Sequence, residues 1–249
     1  MLTHDVELLN GLPIAYIHSL DLLAFSDIHL GYEGVMAKKG VLIPKVNLKH
    51  TINVVKQALE ETGAKRILIN GDIKNDFSNV DIEEFNELYD FMEAMKESDA
   101  SIVLVKGNHD NFVDRYKDPF KLSIYAQEAN IGGYFFLHGE YLPKLIPKGT
   151  KMVIMGHEHP AISIYNDVGR KEKLRCFLYG KYGRTKLLVL PAVGYFSSGT
   201  DINLTTKHNL LSPVLKKINI EGMHAIVCEH GETMDFGTIG ALRLAAQQR

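Results

Sequence analysis

Residues 151–160 read KMVIMGHEHP. An apolar run, Met152 to Met155, leads into Gly156, and two histidines, His157 and His159, follow one residue apart. On an extended chain residues i and i+2 face the same side. A glycine ahead of them lets the backbone turn and aim both rings at one point. Pro160 is expected to end regular pairing on that side. Taken alone, the stretch is open to two readings. It is either a polar turn with two solvated histidines or a ligand pair behind a buried strand.

The rest of the chain repeats the pattern. LLAFSDIHLG (22–31) runs from an apolar strand into Asp27 and His29. RILINGDIKND (66–76) runs into Asp72, and SIVLVKGNHDN (101–111) into Asn108, His109 and Asp110. YFFLHGE (134–140) ends in His138. Ligands bind beyond the carboxyl ends of strands in open α/β sheets. Five strand ends carrying such side chains are hard to explain as loop polarity. Glycine precedes the key residue at Gly71, Gly107 and Gly156.

With His109 set aside, the set holds two Asp, one Asn and four His, and no thiolate. Oxygen and imidazole donors suit Mn²⁺, Fe, Zn²⁺, Co²⁺ or Ni²⁺ in a reactive site rather than a structural zinc site. Seven ligands exceed one ion but suit two that share a carboxylate, roughly 3.5–4 Å apart. Two divalent ions against two aspartates and a hydroxide leave a net positive site, which attracts an anionic phosphate.

The surrounding sequence is consistent with a compact α/β protein. The chain has 249 residues, 45% apolar, enough for a sizeable core, and a net charge of −2 that argues against a broad basic surface for duplex nucleic acid. It has no apolar run of membrane-spanning length. MLTHDVELLNG at the start lacks a signal-peptide layout. Cys176 and Cys228 are in no metal or redox spacing and read as buried free thiols. A cytoplasmic setting is therefore expected.

IAYIHSLDLLAFSD (14–27) predicts a strand, a turn and a second strand. KVNLKHTINVVKQALEETG (45–63) predicts a helix with Ile52, Val55 and Leu59 on one face and Gly63 as its C-cap. DIEEFNELYDFMEAMKE (81–97) predicts a helix with Asp81 as N-cap and a core stripe of Phe85, Leu88, Tyr89 and Met92. Residues 28–44 read as one long loop, and the back half as mostly strands. The expected fold is a four-layer α/β/β/α sandwich, two packed mixed sheets flanked by helices, in a single domain over 1–249. PAVGYFSSGTDIN (191–203) is small-residue rich; its Tyr195 and Phe196 are candidates to stack a base or sugar, against a plain surface loop.

The ordered set D-x-H, G-D, G-N-H-D, H, G-H-x-H resembles the calcineurin-like metallophosphoesterase superfamily. More closely, SDIHLGYEG, VLIP and NGDIKNDF resemble the archaeal and bacterial ICC-like phosphoesterases, including the DNA-ligase-associated branch. The resemblance implies that Asp27, His29 and His159 hold one ion, that Asn108, His138 and His157 hold another, and that Asp72 bridges them. It implies Mn²⁺ as the first expectation for both ions. It implies a phosphodiesterase acting on a nucleotide or nucleic-acid end by hydroxide attack, with His109 as general acid. A phosphomonoesterase or a non-catalytic scaffold of the same fold are the alternatives; retention of His109 beside a full ligand set argues against the scaffold. One departure stands out. Many relatives carry G-D-x-x-D, whose second aspartate supports the catalytic histidine. Here Asn75 takes that place, with Asp76 one further on, and Asp110 is a candidate support or a simple loop cap.

Overall fold

The structure, a computed structural model, describes residues 1–77, 82–165 and 168–247. The first sheet is built from β1 (Val6–Leu8), β2 (Ala15–Ile17), β3 (Leu22–Phe25), β4 (Arg66–Asn70), β5 (Ser101–Val105) and β6 (Ser123–Tyr125), side by side in that order. From β3 to β6 the pairing is parallel, so the ends of β3, β4 and β5 lie along one edge. The second sheet contains β7 (Glu128–Ile131), β8 (Tyr134–Leu137), β9 (Met152–Met155), β10 (Pro160–Tyr165), β11 (Lys171–Tyr182), β12 (Thr185–Val189) and β13 (Thr200–Asp201). Its order is β13-β10-β11-β12-β9-β8-β7. It also takes in β14 (His224–Glu229) and β15 (Glu232–Thr238), with β14 on β11.

Strand alternation sorts the core into layers. In β3, Leu22 and Ala24 face the second sheet while Leu23 and Phe25 face the helices; Leu68 and Val103 separate from Ile67, Ile69, Ile102 and Leu104 in the same way. On the second sheet, Phe136, Ile154 and Leu188 meet the first sheet, while Phe135, Val153 and Leu187 face outward. The first sheet's outer face is covered by α2 (Asn47–Thr62), α3 (Ile82–Lys96) and the short α4 (Lys117–Phe120), while α1 (Tyr32–Lys38) lies against α3. The other face is covered by α5 (Ile239–Gln247) and by the segment carrying Leu210, Val214 and Ile218. The four layers and two mixed sheets are those expected.

Helix α2 ends at Gly63, in the left-handed region at φ 68°, whose N–H bonds back to the Leu59 carbonyl. In α3 the buried stripe is Leu88, Phe91, Met92 and Met95, with Phe85 half-buried. Tyr89 departs from expectation: it is 44% exposed and stands edge-on to Phe120. Asp81, expected as the N-cap, lies outside the described residues. The supposed loop 28–44 contains α1, a seven-residue helix too short to show a periodic stripe. Pro160 does not end pairing; it opens β10, a position where its missing N–H costs nothing, and pairs with Thr200.

Candidate metal centre

The loops after β3, β4 and β5 are laced by main-chain bonds that continue the sheet beyond its strands. Asp27 N–H donates to the Gly71 carbonyl, Ile28 and His29 to that of Asp72, and Leu30 to that of Ile73. The buried Asp110 carboxylate ties the neighbouring loops, accepting from the amides of Asp72 (2.8 Å), Ile73 (2.9 Å) and Gly107 (2.8 Å). Asp110 is thus a clamp on loop backbone, with no bond to the His109 ring. Across the sandwich, the Asn70 side chain donates to the carbonyls of Leu137 (3.0 Å) and Ile154 (3.2 Å), and the main-chain carbonyl of Asn70 meets His138 Nδ1 at 2.9 Å.

Two compact groups of donors result. Asp27, His29 and His159 bring one atom each to within 4.8 Å of one another, and so do Asp72, His138 and His157. His159 Nε2 stands 3.0 Å from Asp27 Oδ1 and 3.2 Å from His29 Nε2. His138 Nε2 stands 3.1 Å from Asp72 Oδ2 and 3.3 Å from His157 Nδ1. Asp72 also falls in a third such group, with His29 and His109, so it stands between the other two. The two histidines of GHEHP therefore belong to different groups. Glu158 between them is buried and turned away, accepting from the amides of Leu211 (3.1 Å) and Ser212 (2.8 Å).

The backbone is held in an uncommon conformation to achieve this. Asp27, His29, Asp72, His157 and His159 all have positive φ, between 48° and 67°. Such strain persists only where the surroundings over-determine it, and it gathers at functional sites. The glycines explain the close approach. A Cβ on Gly71 would lie 2.3 Å from His138 Nδ1, one on Gly107 2.3 Å from Asp72 Oδ1, and one on Gly156 2.6 Å from Asp27 Oδ2.

The donor set fits divalent cations. Burial alone would raise the Asp27 and Asp72 carboxyls, but the imidazoles around them outweigh it and hold both below the usual carboxylate range. Burial, with a neighbouring imidazole, lowers His29 and His157 to about 4, which keeps their nitrogen lone pairs available. Burial also opposes charge on His138, yet Asp72 and Asp27 overcome it and push this group up to about 10. The pocket thus demands positive charge between its carboxylates. Asn108 Oδ1 is buried without a hydrogen-bond partner among the described residues, as expected of an oxygen meant for an ion.

His109 sits at the edge of this cluster. Its amide donates to Asp72 Oδ1 (3.0 Å), and its Nε2 is 3.8 Å from Asp72 Oδ2. Its Nδ1 meets the main-chain carbonyl of Asn75 at 2.5 Å. The ring is overlaid by Phe77, with centroids 3.6 Å apart.

A cavity of about 310 Å³ opens beside His29 and His159, walled by Tyr32, Phe196, Ser197 and Thr200. The Tyr32 and Phe196 rings stack at 5.2 Å. Tyr195 is not part of that wall: its ring packs edge-on against His50, and its amide donates to Asn47. Residues 196–200 of the segment 191–203 do border the cavity, whereas Tyr32 was missed; its one available signal was the aromatic in LGYEG next to a ligand loop.

The layered α/β sandwich thus carries paired His/Asp groups at its strand ends, donor sets that could hold divalent cations. Residues 20–148, just over half of the chain, match the model of the calcineurin-like phosphoesterase family, and the chain belongs to that family. It is accordingly a phosphoester hydrolase, and the family's fold implies divalent metal ions. Among solved structures, nuclease MPE from Pseudomonas putida is similar in fold, with a TM-score of 0.62 and 18% identity over 92% of this chain and 94% of that one. A protein of unknown function from Aquifex aeolicus, AQ665, aligns with 59% of this chain and 81% of its own at 17% identity and TM-score 0.39. Yfce, a phosphoesterase from E. coli, aligns with 69% of this chain and 79% of its own at 19% identity and TM-score 0.40. No curated protein sequence matches the chain. No helix among the described residues is long and apolar enough to cross a membrane.

Proposed function

We propose that this protein is a two-metal phosphodiesterase of the ICC-like branch, acting as one domain over 1–249 on a nucleotide or nucleic-acid end. Asp27, His29 and His159 would hold one ion, and Asn108, His138 and His157 the other, with Asp72 shared. The observation that carries the reading is the placement of Asp72 within 4.8 Å of His138 and His157 on one side and of His29 on the other. Bound ions, Mn²⁺ first among the candidates, supply Lewis-acid charge stabilisation and water of lowered pKa.

The chain's own residues do the rest. The stacked Tyr32 and Phe196 wall gives the group beside the scissile phosphate a flat surface. His109 delivers the proton on Nε2 to the leaving oxygen while its Nδ1 stays bonded to the Asn75 carbonyl. The fold likeness to a Pseudomonas nuclease supports a diester over a monoester. The two buried free thiols support a reducing compartment such as the cytoplasm.

The test is metal stripping followed by a phosphoester panel. The stripped protein is expected to be inactive on bis-para-nitrophenyl phosphate and to recover with Mn²⁺. Full activity without metal rejects the two-metal reading. Preference for monoesters rejects the diesterase, and metal binding without turnover on any ester returns the scaffold.

A further inference from the structure

We propose that the buried Lys74–Glu84 pair is the device that positions His109, taking the place of the aspartate that many relatives use. The inference rests on the reading of His109 as general acid. The two side chains are only 4% and 3% exposed, with Lys74 Nζ 3.2 Å from Glu84 Oε2. Burying two charges carries a desolvation cost that apolar residues of the same size would avoid. Here the pair does something apolar residues cannot do. Glu84 Oε1 accepts from the amides of Asn75 (2.9 Å) and Asp76 (2.8 Å), while Lys74 Nζ donates to the Asp76 carbonyl. One carboxylate and one ammonium thus lock residues 74–76 from both sides.

That locked segment carries the Asn75 carbonyl against His109 Nδ1. A carbonyl only accepts, so it selects the ring form with hydrogen on Nδ1 and leaves Nε2 as the nitrogen that exchanges its proton with substrate. In the step itself the Nε2–H bond of the imidazolium breaks, its proton joins the leaving oxygen, and the neutral ring keeps Nδ1–H. Because the contact is main-chain, it depends on the path of the loop and not on the Asn75 side chain. Glu84 governs that path from the first turn of α3. Gly31 makes the approach possible: a Cβ there would lie 2.7 Å from Glu84 Cβ.

The test compares Glu84→Ala and Glu84→Gln with His109→Asn on two diesters, one with an alkoxide and one with a nitrophenolate leaving group. Metal content and the imidazole ¹⁵N spectrum of His109 are recorded alongside. Glu84→Ala is expected to lose about 10–10²-fold on the alkoxide diester, the scale of a displaced catalytic group, and several-fold less on the nitrophenyl ester. It should keep both ions and, at a pH where the ring is neutral, show a mixture of His109 tautomers, where the parent protein shows only Nδ1–H. Glu84→Gln keeps an oxygen for the two amides and should recover most of the loss. If Glu84→Ala does not fold, the apolar replacement Lys74→Met with Glu84→Leu is expected to give the same two signatures. Equal losses on both esters, a single Nδ1–H tautomer in the variants, or loss of metal would overturn the proposal. Equal losses for His109→Asn itself would instead reject the general-acid reading, and the tautomer spectrum would still decide the positioning.

Discussion

The two sheets contribute unlike halves to one centre. The first supplies both carboxylates and the amide, at Asp27, Asp72 and Asn108, with one imidazole, His29. The second supplies imidazoles alone, at His138, His157 and His159. The two groups that take in the second sheet both span the joint: His159 crosses to Asp27, and Asp72 crosses to His138 and His157. The negative charge is thus built into laced loops after the parallel strands of the first sheet, and imidazoles are brought to it by packing. The centre is a joint, and the apolar layer between the sheets sets its width.

The largest effect is expected where the halves meet. Asp72→Asn should lower turnover by more than about 10⁴-fold, beyond the usual range for a lost general acid, and reduce occupancy at both ion sites. One ion retained in full would show that Asp72 is not shared. His109→Asn should cost about 10²–10⁴-fold with both ions still bound. Loss of metal in that variant would make His109 a ligand.

The next prediction sets two faces of one strand against each other. Phe135 and Phe136 are both buried on β8, just ahead of His138, but Phe135 faces the outer core and Phe136 the layer between sheets. Changing either to alanine should cost about 3–5 kcal/mol in stability, read from denaturant unfolding. Only Phe136→Ala should also weaken metal retention, measured by competition with a chelator. Equal effects on metal would mean that the joint is held by its loops and not by the layer beneath.

The smallest effects separate two neighbouring aromatics. Phe196→Ala removes one wall of the cavity and should raise KM about fivefold, the low end of a stacking contribution. Tyr195→Ala, outside that wall and 51% exposed, should leave KM within about twofold. A reversal of the two would move the substrate to the His50 side.

Legible along the chain were the alternation of apolar residues that sets the strands, the helix α2 with its Gly63 cap, and the strand ends where donor side chains stand. These are local properties, set by periodicity and by glycine's tolerance of a tight turn. Tertiary structure alone decided which donors meet. Spacing put His157 and His159 together, yet positive φ at both sends them to different groups. It also decided that Asp110 clamps amides, that a carbonyl and not a side chain faces His109, and that Glu84, in the next helix, reaches back to the amides of Asn75 and Asp76. Such contacts join residues far apart in the chain through main-chain groups, which every residue carries and no side-chain pattern announces.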